Sequence, residues 1–141
     1  QAETTGFPDE SFDVVTASLL FHETPPAIAL EVLRECFRLL KPGGEVVILD
    51  GNQGTLRQTE WLTEIFEEPY IKDYAAGSID AWMGAAGFDA IRTETWWLLH
   101  QVSKAVKPLP INTPNQAVQV QNISFDSPTE SSPDMPQPFP A

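Results

Sequence analysis

The side chains able to do acid–base chemistry stand at the ends of two apolar runs. His22 and Glu23 follow "FDVVTASLLF" (Phe12–Phe21), and Asp50 closes "EVVILD" (Glu45–Asp50), with Asn52 and Gln53 just beyond. A histidine can take a proton near neutral pH, and a carboxylate beside it can orient the ring or share the work. His22 is therefore a candidate general base, though such a histidine more often just hydrogen-bonds a neighbouring loop. Glu23 either assists His22 or favours the start of the next helix. Asp50, at a strand end, is placed for the same site. His100 lies inside a predicted strand and reads as structural. Trp96 and Trp97 alternate faces and read as core and sheet cover. No metal-ligand spacing, no Gly-x-Ser-x-Gly nucleophile turn and no phosphate-binding P-loop is present.

The elements that must position these residues follow from pattern. Phe12–Phe21 is nearly continuous in apolar residues and rich in β-branched ones, the pattern of a strand buried on both faces. "TPPAIALEVLRECFRLLK" then reads as an amphipathic helix, with Thr24 as N-cap and Pro25 in the first turn. Ile28, Val32, Leu33, Cys36, Phe37 and Leu40 form its apolar face, and Glu31, Arg34, Glu35, Arg38 and Lys41 its polar one. Pro42 ends the helix, and Gly43-Gly44 turn the chain into the second strand. Strand, helix and strand make one right-handed βαβ unit with parallel strands. Ligands in such sheets bind beyond the carboxyl ends of the strands. His22, Glu23, Asp50, Asn52 and Gln53 are expected in one crevice there, while the double-glycine turn lies at the opposite rim.

Further along, Thr55–Glu68 reads as a helix with Leu56, Trp61, Leu62, Ile65 and Phe66 on its apolar side. Ser78–Gly87 reads as another, capped by Ser78 and closed by Gly87. "FDAIRTET" and "WWLLHQVSKAV" lie too close together for a parallel crossover, which predicts an antiparallel hairpin. After about Ala105 the chain turns rich in Pro, Ser, Gln and Asn. Residues 109–141 are expected to be a disordered, proline-rich tail beside a domain spanning 1–108. A sequon at Asn122–Ser124 reads as chance, and "AVQVQNISF" as part of the floppy tail rather than a docking segment.

The 20 acidic and 8 basic residues give a net charge of −12. That balance disfavours nucleic acid and anionic membrane as partners and suits a cationic small molecule. No apolar run reaches the length of a membrane span, and the amino end lacks the regions of a signal peptide. The single cysteine, Cys36, falls on an apolar helix face and reads as a core thiol. These features point to a cytoplasmic protein. The absence of an initiating Met is expected of a processed, trimmed or partial chain.

"FPDESFDVVTASLLFHE", "VLRECFRLLKPGGEVVILD" and "AAGF" together resemble the class I S-adenosylmethionine-dependent methyltransferases, nearest the type 11 group, across roughly Ala2–Pro108. The resemblance implies a Rossmann-like, mostly parallel seven-stranded sheet with its last strand antiparallel. "FDVVTAS" would be the fourth strand and "EVVILD" the fifth, so the chain holds the second half of the fold. The first half, with its glycine-rich cofactor turn, has no counterpart: no Gly-x-Gly occurs anywhere. The resemblance implies S-adenosylmethionine as cofactor, with Thr16, Ala17 and Ser18 lining its methionine side. Gln1 and Ala2 stand where the family has an Asp-Ala pair against adenine, with Gln replacing Asp. His22, Glu23 and Asp50 would face the acceptor. Thr24-Pro25-Pro26 differs from the Asn/Asp-Pro-Pro-aromatic signature of amide and adenine N-methyltransferases, which leans towards a small-molecule acceptor.

Lacking the first half, the Phe12–Phe21 strand has no partner on one side and presents a bare edge. Missing strands supplied in cis or in trans are therefore the expected partner. The alternative is a non-catalytic methyltransferase-like remnant that uses its edge or tail as an interaction module. A third reading is another doubly wound enzyme, such as a nucleotide-dependent oxidoreductase.

Overall fold

The computed structural model describes residues 1–65 and 68–111, apart from the side chains at 60, 62 and 63. Strand β1 (Phe12–Ser18) leads through a short 3-10 turn (Phe21–Glu23) into helix α1 (Pro26–Leu39), then strand β2 (Leu40–Gly51). Four short helices follow: α2 (Gln53–Gln58), α3 (Glu60–Ile65), α4 (Ile71–Ala76) and α5 (Ile79–Ala86). Strands β3 (Asp89–Trp96) and β4 (His100–Val106) complete one sheet in the order β1-β2-β4-β3. β1 and β2 are parallel, and β4 is antiparallel to both of its neighbours. The βαβ unit and the closing hairpin are thus as the pattern predicts.

The register puts Ser18 opposite Leu49 and Asp50 opposite Gln101, so the ends of β1 and β2 share one rim. At the other rim the pairing jumps from Phe12↔Leu40 to Val14↔Glu45. The Pro42-Gly43-Gly44 segment bulges out in that gap. Gly43 takes φ +82°, which favours glycine. A Cβ on Gly44 would sit 2.9 Å from the carbonyl oxygens of both Asp13 and Lys41. One glycine is needed for its dihedral and the other for close approach.

Buried residues on the strands share a face: Val46, Ile48 and Asp50 on β2, and Gln101, Ser103 and Ala105 on β4. α1 and α5 pack together, and Ala29, Val32, Leu33, Cys36, Ile79 and Met83 join that core. Burial pushes the Cys36 thiol up to about 11, as suits a packed, unreactive sulfur. β1 is an edge strand whose burial pattern is not that of a doubly covered one. Val14 is 53% exposed, and Thr16 and Ser18 on the same face are exposed too.

Several elements depart from expectation. β1 stops at Ser18, because Leu19 adopts φ +52° and swings Phe21 into the core. Thr24 does not cap α1; its hydroxyl donates to the Leu20 carbonyl, and Pro25 occupies the cap position without a side-chain bond. Ile28 is exposed, and Glu35 is buried in its stead among the charged positions. The single helix expected over Thr55–Glu68 breaks at Thr59 (ψ 57°), and Trp61 and Ile65 are exposed. Phe66 lies outside the described residues, as do the sequon and all of the tail from Asn112 onward. α4 (Ile71–Ala76) has no counterpart in the sequence pattern. Ser78 and Gly87 cap α5 as expected, the first accepting from the Ala81 amide and the second with φ +104°. Trp96 and Trp97 are not core: the hairpin turns at Trp97-Leu98-Leu99, and Trp97 is 86% exposed. Among the described residues no helix is long and apolar enough to cross a membrane.

Candidate active site

Asp50 is 1% exposed at the end of β2. A carboxylate so placed is stable only if donors surround it. The left-handed turn at Leu19 supplies two, by bringing the 3-10 turn over the strand end. The Phe21 amide donates to Asp50 Oδ2 at 2.7 Å, and His22 Nδ1 meets Oδ1 at 2.6 Å. The Gly51 amide donates to Oδ1 at 2.7 Å. The Phe21 and Gly51 amides make Asp50 an acceptor, so Nδ1 of His22 donates to it. In the neutral form of the ring, Nε2 then carries the lone pair and points away from Asp50.

Nε2 faces two more carboxylates, Glu68 Oε2 at 3.3 Å and Glu23 Oε1 at 3.8 Å. Beside it opens a cavity of about 370 Å³ walled by Leu19, Leu56, Ile71 and Leu99, with His22, Glu23, Glu68 and His100 as polar groups. Small-molecule sites share this make-up, an apolar wall carrying a few convergent polar groups. Tyr74 is fully buried behind the site, its ring centroid 6.4 Å from that of His22. Its hydroxyl donates to the Gly51 carbonyl at 2.7 Å, and burial, then the Asp50 charge, hold its phenol well above the usual tyrosine range. Tyr74 is therefore a neutral strut.

The site residues read from sequence divide. His22 and Glu23 line the cavity. Asp50 touches it only through His22. Asn52 and Gln53 do not join them: Asn52 Oδ1 caps α2 at the Thr55 amide, and Gln53 bridges the Tyr74 carbonyl and the Ile79 amide. Thr16 and Ser18 stand on the open face of β1, whereas Ala17 packs against the core. Gln1 and Ala2 are exposed in the segment ahead of β1, which is fastened to α1 where the Thr5 amide and hydroxyl donate to Glu35 Oε1. Glu68 and Tyr74 escaped sequence reading, since neither stands at a strand end or in a motif. His100, read as structural, lines the cavity. The linear spacing holds no metal pattern, yet the fold brings donor atoms of His22, Glu23 and Glu68 within 4.8 Å of one another.

Residues 1–48 match a family described as a methyltransferase domain. A demethylmenaquinone methyltransferase of Listeria welshimeri is 45% identical over 47 residues, 33% of this chain and 19% of that protein. A structure from Methanosarcina mazei, titled a SAM-dependent methyltransferase, superposes with TM-score 0.55 at 20% identity, covering 77% of this chain and 65% of that one. Human N-acetylserotonin methyltransferase, solved in complex with SAM, gives TM-score 0.57 at 15% identity over 72% of this chain and 31% of its own. The described residues share the Rossmann-like fold of these methyltransferase structures over the part that superposes. The chain spans about one fifth or less of the length of the curated relatives it matches first.

Proposed function

We propose that this chain is the acceptor-side portion of an S-adenosylmethionine-dependent methyltransferase acting on a small molecule, and that His22 is its base. The observation that carries this reading is the Asp50–His22 pair, 2.6 Å apart, at the strand-end rim beside an apolar cavity. The methyltransferase-domain match over residues 1–48 supports the class of reaction.

The residues present fit one end of the cofactor. The open carboxyl end of β1 offers Thr16, Ser18 and the backbone of Ala17 to its methionine part, next to the cavity wall at Leu19. For the nucleotide part the chain offers only Gln1 and Ala2, with no glycine-rich turn. When bound, the cofactor supplies an electrophilic methyl group on a sulfonium. The chain's own residues prepare the acceptor. Leu19, Leu56, Ile71 and Leu99 exclude water and hold an apolar body. His22 Nε2 takes the proton from an acceptor O–H or N–H. Asp50 keeps the ring in the competent tautomer and stabilises the imidazolium that results. Glu23 and Glu68 stand within reach of the same nitrogen and favour that positive charge. Alignment of the acceptor supplies the remainder of the acceleration.

The bare β1 edge supports a division of labour in which further strands, in the same polypeptide or another, complete the sheet. Calorimetric titration with S-adenosylmethionine tests this. The 141-residue chain alone should give no binding, and the chain joined to or mixed with a glycine-loop-bearing half should bind at micromolar affinity. Micromolar binding by the soluble monomeric chain alone would refute the division. No binding in any completed form would leave the second reading, a remnant that uses its β1 edge for partners.

A further inference from the structure

We propose that His22, Glu23 and Glu68 form a binding site for one divalent transition-metal ion of the zinc class. Geometry is the first ground. Two donors held by one tetrahedral zinc lie roughly 3.4 Å apart, given metal–ligand bonds of about 2.0–2.2 Å. Glu68 Oε2 and Glu23 Oε1 stand 3.3 and 3.8 Å from His22 Nε2. All three ligand atoms fall within 4.8 Å of one another. All three residues line the cavity, which leaves space beside them for water or a ligand.

The second ground is an unmet electrostatic demand. The Glu68 side chain is 33% exposed, yet its Oε2 is shut off from solvent and accepts no hydrogen bond among the described residues. An enclosed carboxylate oxygen 3.3 Å from an imidazole nitrogen calls for a cation between them, which is either a proton on Nε2 or a metal ion in its place. The third ground is Asp50. A metal-ligating histidine commonly donates its other ring nitrogen to a carboxylate, which fixes the tautomer and strengthens the ligand. Asp50 does this for Nδ1. One imidazole and two carboxylates suit Zn²⁺ and its neighbours in the first row, and the net charge of −12 raises the local cation concentration.

The ion would use the same Nε2 lone pair that takes the acceptor's proton. Metal binding and base catalysis therefore exclude each other, and Zn²⁺ acts as an inhibitor competing with the acceptor. That consequence rests on the methyltransferase reading; the binding site itself does not.

The test is metal titration of the full chain, with no acceptor or methyl donor present. Zn²⁺ is followed by calorimetry and Co²⁺ by its visible tetrahedral bands. One ion per chain is expected. His22→Ala and Glu68→Gln should each weaken binding at least about 10-fold, and Asp50→Asn, which leaves every ligand in place, by about 10–100-fold. Glu31→Gln, an exposed carboxylate on α1, should change nothing. Circular dichroism confirms that each variant is folded, and Glu68→Gln, nearly isosteric, keeps the test decisive if His22→Ala is not. Wild-type affinity in folded Glu68→Gln, or no binding by the parent chain at 1 mM metal, would overturn the site. In the completed enzyme, Zn²⁺ that binds without slowing methyl transfer would overturn the base assignment while leaving the site standing.

Discussion

At the amino end of the sheet, Lys107 Nζ donates to the Leu40 carbonyl at 2.8 Å, pairs with Glu10 at 3.2 Å and lies 4.9 Å over the Phe37 ring. Nearby, Glu35 accepts from Arg38 on both oxygens and from Thr5, and Arg38 also pairs with Asp9. At the carboxyl end, Asp50 is equally well supplied with donors, but the series stops one residue short. Glu68 Oε2 stands 3.3 Å from His22 Nε2 and accepts no hydrogen bond among the described residues. Both ends hold charged groups out of water. One closes its network and gains rigidity; the other leaves one carboxylate oxygen open beside a cavity. Closed networks hold a fold together, and open ones mark where a ligand completes the arrangement.

Four experiments would break or sharpen this contrast. The largest effect belongs to the open end. In the cofactor-competent form, His22→Ala should lower the rate of methyl transfer by about 10²–10⁴-fold. Asp50→Asn, which favours the wrong tautomer, should give a loss of similar order in single-turnover assays. Unchanged rates in both would remove His22 from the chemistry.

At the closed end, effects should fall on stability alone. Gly44→Ala forces a Cβ to 2.9 Å from two carbonyl oxygens and should cost about 1–3 kcal/mol in urea unfolding. Gly84→Ala, inside α5 with only an ordinary 3.7 Å contact to Ile91, should instead stabilise by about 0.5–1 kcal/mol. Equal effects would show that the double-glycine turn is not a close approach.

Acid should separate the ends next. The Arg38 guanidinium, then Thr5, hold the Glu35 carboxyl down to about 2, below its ordinary 4.5. A group depressed on folding contributes stability above its unfolded pKa and loses it as pH falls towards the folded one. Glu35 should therefore contribute fully above pH 4.5 and lose its contribution between 4.5 and about 2. Melting temperatures of wild type and Glu35→Gln should differ at neutral pH and converge in that window. A constant difference would contradict the role given to Arg38.

The smallest effect has the opposite sign. In metal-free protein, Glu68→Gln removes a charge whose Oε2 has no donor and should raise stability by about 1 kcal/mol. Destabilisation would mean that the carboxylate is already satisfied and the carboxyl end is not open.

Much of the fold was legible. The apolar runs at Phe12–Ser18 and Val46–Leu49, and the Pro42-Gly43-Gly44 stop, reflect local dihedral and periodicity rules that tertiary contacts did not override. The hairpin followed from chain length between strands, and the Ser78 and Gly87 caps from side-chain chemistry. Failures came where a boundary or exposure depends on distant partners. β1 ends at Ser18 because Asp50 draws the Phe21 amide and His22 across the rim. Trp96 and Trp97 look like core by composition, but the hairpin turn leaves them at its tip.

The candidate site was half legible. His22, Glu23 and Asp50 follow from the rule that parallel strands present their carboxyl ends to ligands. The sequence could not show that Asn52 and Gln53 turn away, since their hydrogen bonds go to residues fixed only once α2, α4 and α5 are packed.

By itself the sequence determined a βαβ unit, an antiparallel hairpin and one rim bearing His22 and Asp50, because period, turn residues and spacing act within short stretches of chain. Only the tertiary structure decided that Asp50 is buried against His22 Nδ1, that Glu68 faces Nε2 and that a cavity opens beside them. Those facts depend on packing α4 and the segment before it against the end of β2, and burial there sets which charges are matched and which stay open.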